Sequence, residues 1–282
     1  MKVMVFGGSG MLGHVVVRHL VDKGHDVTFS TRGKTPRWLP FEKPVGFFKF
    51  TVSDKIPDLT DFDWAINCIG AIKQDKSLTT SDFYETNAVF PWKLALVCKK
   101  TNTKLIHVSS DCVFSGDLVS GSYHAGDPRD ARDDYGVSKA LGECSDAVVI
   151  RTSMIGPAEK NLGLFQWLLT EEDNVILGYT NHLWSGVTTL FLAQFMEGLM
   201  ADTSVKMPSD GGLIQIATDP MDKCSLLETI QEVFVEPENR KTIIKTKADT
   251  SVNRGLVPSV RPAPAIREQL IELKDWMKTH EN

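Results

Sequence analysis

Tyr135 and Lys139 stand four residues apart in Tyr135-Gly136-Val137-Ser138-Lys139, and a glycine run, Gly7-Gly8-Ser9-Gly10-Met11-Leu12-Gly13, follows an apolar stretch at residues 3–6. On a helix, that four-residue spacing puts the phenol and the ammonium on one face, about 6 Å apart along the axis, near enough to act on one bound molecule. A carbonyl receiving hydride becomes an alkoxide and needs a proton at that instant, which Tyr135 can supply. A free phenol titrates near ~10, so the cation beside it is expected to lower that value and stabilise the tyrosinate left behind. Ser110 ends a strand candidate 25 residues before Tyr135, and its hydroxyl suits it to hold the reacting oxygen in line.

The glycines supply the other half of this chemistry. Residues without a side chain let the backbone turn tightly and approach a pyrophosphate at a helix N-terminus. Gly8-x-Gly10-x-x-Gly13 fits the general dinucleotide fingerprint, and Gly7-x-x-Gly10-x-x-Gly13 fits the spacing of short-chain dehydrogenases. Gly7, Gly10, Met11 and Leu12 are therefore expected to touch the cofactor. An acid at the end of the second strand would hold a ribose hydroxyl, and a base there would accept a 2′-phosphate. Ser30-Thr31-Arg32-Gly33-Lys34 contains no acid, and none follows until Glu42. NADP(H) is favoured over NAD(H), with Arg32 as the bidentate phosphate partner and Ser30 or Thr31 as hydroxyl donors.

These groups need a scaffold, and the hydrophobic pattern provides one. Short apolar runs at 3–6, 27–30, 47–52, 64–69, 105–109 and 147–151 read as strands, separated by helical stripes at 10–23 and 82–100. Near-continuous apolar strands alternating with helices imply a parallel sheet covered on both faces, an α/β doubly wound Rossmann architecture. Beyond residue 151 the alternation loosens, with helix candidates at 162–170, 188–200, 223–234 and 264–279 and strand candidates at 213–217 and 243–245. We expect a dinucleotide-binding domain over 1–155 and a smaller substrate-binding lobe over 156–282, packed on the carboxyl ends of the strands.

The chain resembles the extended short-chain dehydrogenase/reductases, and within them the dTDP-4-dehydrorhamnose reductase group of sugar-nucleotide enzymes. Ser109-Ser110-Asp111-Cys112-Val113-Phe114-Ser115-Gly116 is similar to that group's Ser-Thr-Asp-Tyr-Val-Phe-Asp-Gly, and Tyr135 to Lys139 continues into Leu141-Gly142-Glu143 as the group's tyrosine helix does. The resemblance implies that Ser110 takes the place of the catalytic threonine. It implies that Cys68, Ile69 and Gly70 pass along the cofactor, and that Asn87 steadies the site from the next helix. Asp111, Cys112 and Phe114 become sugar contacts, although Cys112 and Ser115 replace a tyrosine and an aspartate of the group. In the second lobe, the segment 178–186 places Asn181, His182 and Trp184 between glycines, a composition suited to a nucleotide sugar; a core role for Trp184 is as plausible, and His182 reads as a structural histidine ahead of a catalytic one.

Composition limits the remaining classes. Thirty-one basic against 36 acidic residues give a net charge of −5, with no polybasic footprint for nucleic acid. The five cysteines are widely spaced and never form CxxC, so neither a disulfide frame nor a zinc site is expected, and no metal is expected from the histidines. No apolar run reaches 18 residues, so a cytoplasmic location without membrane association is expected. The reading that results is an NADPH-dependent reductase of a 4-keto-6-deoxy nucleotide sugar, dTDP- or UDP-linked, serving polysaccharide precursor synthesis; a homodimer is allowed by the sequence but not required by it. Two alternatives stay open: an epimerase or dehydratase that recycles its nicotinamide, and a non-catalytic NADP-binding regulatory subunit.

Overall fold

A computed structural model describes residues 1–33, 45–158, 163–201 and 212–280. Lys34 and Glu42, invoked above for cofactor choice, lie outside the described residues. In chain order the elements are β1 (Lys2–Phe6), α1 (Gly13–Asp22), β2 (Asp26–Thr31), β3 (Gly46–Lys49), β4 (Trp64–Asn67), α2 (Thr80–Phe83), α3 (Phe90–Thr101), β5 (Lys104–Val108), α4 (Asp134–Leu141) and β6 (Val148–Arg151). The second half adds β7 (Met154–Ile155), α5 (Leu164–Thr170), β8 (Val175–Tyr179), β9 (His182–Trp184), β10 (Val187–Thr188), α6 (Thr189–Ala201), β11 (Gly212–Gln215), β12 (Met221–Asp222), α7 (Lys223–Phe234), β13 (Thr242–Thr246), β14 (Val252–Asn253) and α8 (Ile266–His280).

Seven of these strands form one parallel sheet in the order β11-β6-β5-β4-β1-β2-β3. Its strands feed two cores, as a sheet covered on both faces requires. Val3, Val5, Ile66, Ile106 and Ile150 point into a core shared with Val16 of α1, Met196 of α6, Leu226 of α7 and Leu270 of α8. Met4, Phe6, Ala65, Leu105 and Val149 point to the other side, against Phe90, Leu94 and Cys98 of α3. The strand order reverses between β1 and β4, where Phe6 is level with Asn67. Open α/β folds place ligands in the crevice at that reversal, beyond the carboxyl ends of the strands.

The sheet draws on both halves of the chain. β11 extends it by pairing with β6, Gln215 level with Arg151, and α6 packs beside α1. What remains of the second half forms small sheets, β7 with β10, β9 between β12 and β14, and β8 with β13. Strands of two or three residues carry no readable periodicity, so β7, β9, β10, β12 and β14 were not visible in the hydrophobic pattern. The single helical stripe expected over 82–100 is instead α2 and α3 joined by a π-helical turn, Tyr84–Val89. Pro91 sits in the first turn of α3 and has no N–H to donate, and the wider turn accommodates the break just ahead of it.

Candidate active site

The glycine loop leaves β1 at the crevice and enters α1. Gly7 adopts φ +83°, a conformation that a side chain strains, and a Cβ on Gly13 would lie 2.1 Å from the Gly7 carbonyl oxygen. Gly10 N–H donates to that same carbonyl at 3.0 Å, closing the turn. Helix α1 has no side-chain cap at its N-terminus. Its first-turn N–H groups and the positive end of its dipole thus face a glycine-lined berth that suits a pyrophosphate. Gly7 is half-buried and Gly10 exposed, while Leu12 is buried in the core, so Leu12 offers the berth only its backbone.

The end of β2 corrects one expectation. Ser30 Oγ accepts from Gly7 N–H at 2.9 Å, and Thr31 Oγ1 donates to Ser9 Oγ at 3.1 Å. Both residues are buried, so their hydroxyls shape the loop rather than reach outward to a phosphate. Arg32, the next residue, is exposed and remains the group at that strand end able to take a 2′-phosphate.

On the other side of the crevice, α4 carries the phenol and the ammonium. Asp133 caps the helix by accepting from Gly136 N–H at 2.7 Å, which fixes where Tyr135 leaves its first turn. A Cβ at Gly136 would meet the Cys112 carbonyl at 2.3 Å, so α4 lies directly against the Asp111–Val113 turn that follows β5. This contact brings Ser110 close to Tyr135, near enough for the serine hydroxyl to act on the phenol. Ser110 Oγ also accepts from Cys112 N–H at 3.1 Å and donates to Asp111 Oδ1 at 3.1 Å. The Phe83 ring meets the Tyr135 ring edge-on, at 6.2 Å between centroids.

Lys139 is buried and donates from Nζ to the Val108 carbonyl at 2.7 Å. Burial lowers its pKa to about 8, opposed by the charge of Glu143 and by the nearby Cys112 and Cys68 thiols. The phenol behaves differently from expectation: burial raises its pKa, the acidic neighbours Cys112, Asp111 and Asp133 raise it further, and the Ser110 hydrogen bond acts the other way. In the cofactor-free protein Tyr135 is therefore held protonated, which is the state a proton donor needs.

Behind these groups lies a buried frame. Asn87 Oδ1 accepts from Ala71 N–H at 2.9 Å, and its Nδ2 donates to the Ala71 carbonyl at 3.0 Å and to Ser138 Oγ at 3.1 Å. One side chain thereby ties the segment after β4, which carries Cys68, Ile69 and Gly70, to the tyrosine helix. Asn67 Oδ1 accepts from Ile69 N–H at 3.1 Å, which leaves Nδ2 to donate to His107 Nδ1 at 3.0 Å. His107 is fully buried, and desolvation with Lys139 nearby holds its pKa well below the usual value, so the ring is neutral. Burial pushes the Cys68 thiol up to about 12, so it is a neutral wall of the crevice and not a nucleophile. Glu143, one turn after Lys139, receives Arg151 through Nε at 2.9 Å and Nη2 at 2.7 Å, Arg129 at 3.1 Å and Ser109 Oγ at 2.7 Å.

The residues expected to meet the sugar divide. Asp111 is buried beside Ser110 and desolvation raises its pKa, while Cys112 is half-buried with its thiol pushed up to about 12. Phe114 is a correction: it is 0 % exposed, stacked on Tyr123 at 4.1 Å with the Arg151 guanidinium over its ring, and presents nothing to a ligand. Asn181 bonds the Ala248 carbonyl, Ser251 Oγ and Ala248 N–H, and His182 Nε2 lies 3.0 Å from the Thr250 carbonyl. Trp184 is buried in the main core with its indole N–H on Ser153 Oγ at 2.8 Å. All three make these bonds within or next to the β8–β9 turn and β9.

Three cations escaped the sequence reading. The Asp111 carboxylate feels the positive charges of Arg254 and Lys223, and the Cys112 thiol feels Arg254 and Lys73. Arg254 follows β14, Lys223 opens α7 and Lys73 follows β4, so nothing in local spacing links them. Among the described residues no group of three or more metal-ligating side chains occurs, and no helix is long and apolar enough to cross a membrane.

Comparison with known proteins matches this arrangement to a family. Residues 1–249 match the RmlD substrate binding domain family. A probable low-salt glycan biosynthesis reductase, Agl14, of Haloferax volcanii is 31% identical over 182 residues, covering 60% of this chain and 59% of that protein. A dTDP-4-dehydrorhamnose reductase of Mycolicibacterium smegmatis is 28% identical over 161 residues, covering 55% of this chain and 46% of its own length. The matches thus span about half the length of these curated relatives. In three dimensions, a dTDP-4-dehydrorhamnose reductase of Bacillus anthracis solved in complex with NADP superposes with TM-score 0.73 at 17% identity, over 98% of this chain and 99% of that one. The sheet order, the glycine cradle and the neighbouring Tyr135 and Ser110 are thus found in a chain that belongs to the RmlD substrate binding domain family.

Proposed function

We propose that this protein is an NADPH-dependent reductase of a 4-keto-6-deoxy nucleotide sugar, dTDP- or UDP-linked, serving the synthesis of a polysaccharide precursor. The observation that carries the proposal is the close packing of the Tyr135 helix on the turn that begins at Ser110, at the carboxyl ends of the strands where the glycine cradle also opens. A nicotinamide dinucleotide bound in that cradle supplies the hydride. Ser110 orients the substrate carbonyl by donating to its oxygen, and Tyr135 delivers the proton as negative charge develops there. Lys139, charged below a pH of about 8, offers a cation to the tyrosinate and a donor to the nicotinamide ribose. Asn87 and Glu143 hold Ser138 and Lys139 in register without touching the reacting atoms.

Arg32 and the lack of an acid at residues 30–33 support NADPH, in keeping with the NADP complex of the Bacillus anthracis protein. The relatives named for glycan synthesis and for dTDP-4-dehydrorhamnose reduction support the substrate class. The test is consumption of NADPH with dTDP-4-keto-6-deoxyglucose or its UDP counterpart, followed by the loss of the reduced-nicotinamide absorbance. Tyr135→Phe is expected to lower the rate by about 10²- to 10⁴-fold while the thermal midpoint and NADPH binding stay put. Undiminished turnover in that variant refutes the assignment. Retention of the cofactor through purification, with sugar isomerisation and no net NADPH loss, replaces it with the epimerase reading.

A further inference from the structure

We propose that Asn67 and His107 are positioning residues, a buried link that sets the segment 68–70 beside the phosphate loop in register with the strand carbonyl that holds Lys139. The inference rests on the reductase reading above and adds the device that keeps the cofactor's seat aligned with the ammonium. Asn67 closes β4 and stands level with His107 on the neighbouring β5, so the two side chains share one face of the sheet near its carboxyl edge. Both are 0 % exposed. Phe6, Leu105 and Val149 lie around them on that face, an apolar layer in which polar side chains cost stability unless their bonds are made. Each end of the link reaches the crevice. Asn67 Oδ1 accepts from Ile69 N–H at 3.1 Å and so shapes the chain as it leaves β4. That segment lies against the phosphate loop, since a Cβ at Gly7 would fall 3.0 Å from Ile69 N and 3.2 Å from the Cys68 carbonyl carbon. At the other end, His107 precedes Val108, whose carbonyl accepts from Lys139 Nζ at 2.7 Å.

The link has a fixed direction. With Oδ1 taken by Ile69, Asn67 offers His107 only its amide hydrogens, across 3.0 Å from Nδ2 to Nδ1. Nδ1 must then carry the lone pair and Nε2 the proton, because a proton on Nδ1 would face the amide donor head-on. Nε2 is buried and has no hydrogen-bond partner among the described residues, so the bonding role of the ring falls on Nδ1 alone. An apolar side chain at 107 would remove that orphaned N–H and fill the same layer at lower cost. What the histidine contributes is therefore the acceptor that holds Asn67, and through Asn67 the turn beside the phosphate loop. Asparagine at this position carries an amide oxygen about where Nδ1 lies, whereas glutamine reaches about to Nε2, so the two amides separate the acceptor from the bulk of the ring.

Two measurements on the full chain test the proposal. Nitrogen–proton correlation spectra of the histidine rings are expected to show His107 neutral with its proton on Nε2, and a proton on Nδ1 overturns the link. NADPH titration and steady-state kinetics then read the function. His107→Leu strands the Asn67 amide and is expected to raise the dissociation constant and the KM of NADPH about tenfold and to lower kcat, with the KM of the keto-sugar unchanged. His107→Asn is expected to keep NADPH affinity near that of the unaltered protein, and His107→Gln to lose it as leucine does. Equal NADPH affinity in the asparagine and glutamine variants overturns the proposal and leaves the ring a packing residue, as does a leucine variant that binds NADPH normally. Should the leucine variant fail to fold, the contrast between the two amides and the ring spectrum still decide. If the variants bind NADPH as expected but no keto-sugar is reduced, the reductase reading falls and the link stands.

Discussion

The two walls of the crevice are built on opposite plans. On the sheet side, Asn87, Ser110, Lys139 and Glu143 have their polar atoms joined to named partners, and those bonds tie β4, β5 and α4 into one frame. Lys73 and Lys223, by contrast, make no hydrogen bond or ion pair among the described residues, and they are carried by elements far apart in the chain. The first wall is arranged before any ligand arrives, which is what positioned proton transfer requires.

If the sheet-side frame is what holds the chemistry, loosening it should cost stability and activity together. Glu143→Gln leaves the buried Arg151 guanidinium without a counter-charge and is expected to cost about 3–5 kcal/mol in urea unfolding. Because Glu143 raises the pKa of Lys139, the same variant should bring the alkaline fall in kcat/KM to lower pH. An unchanged pH profile would reduce Glu143 to a purely structural ion pair.

A smaller effect separates activity from stability in the unaltered protein. Lys139 titrates at about 8 in the fold against 10.5 when free, so kcat/KM should fall about tenfold per pH unit above 8 as its charge is lost. Its contribution to stability runs the other way. Between those two values the unfolded chain binds more protons than the folded one, so this group makes the protein more stable as pH rises through the window. Activity and the Lys139 part of stability moving in the same direction above pH 8 would show that another group governs the profile.

The smallest effect belongs to the segment around β9. Asn181→Ala removes bonds to Ala248 and Ser251 at a partly exposed turn and is expected to cost about 1–2 kcal/mol, with affinity for UDP or dTDP unchanged. A selective loss of nucleotide affinity would move Asn181 from scaffold to ligand contact.

Much of the first wall was legible in the sequence. The glycine spacing, the Tyr135–Lys139 interval and the apolar runs are local patterns, and each reappears in the structure as a turn, a helix face or a strand. The hydroxyls of Ser30 and Thr31 were misread because a hydroxyl bonds equally well inward or outward, and only burial reveals which. Phe114 was misread because a motif gives the residue's order along the chain but not its depth.

What the sequence alone determined is the repeating apolar pattern of a covered parallel sheet and the short intervals that seat a phosphate loop and a phenol–ammonium pair, because those depend on neighbours a few residues apart. What only the tertiary structure decided is long-range. β11 joins β6 across some sixty residues, Asn87 bridges to Ser138, and the charges of Lys223 and Arg254 reach Asp111. Such meetings follow from which faces bury against which, and no spacing along the chain encodes them.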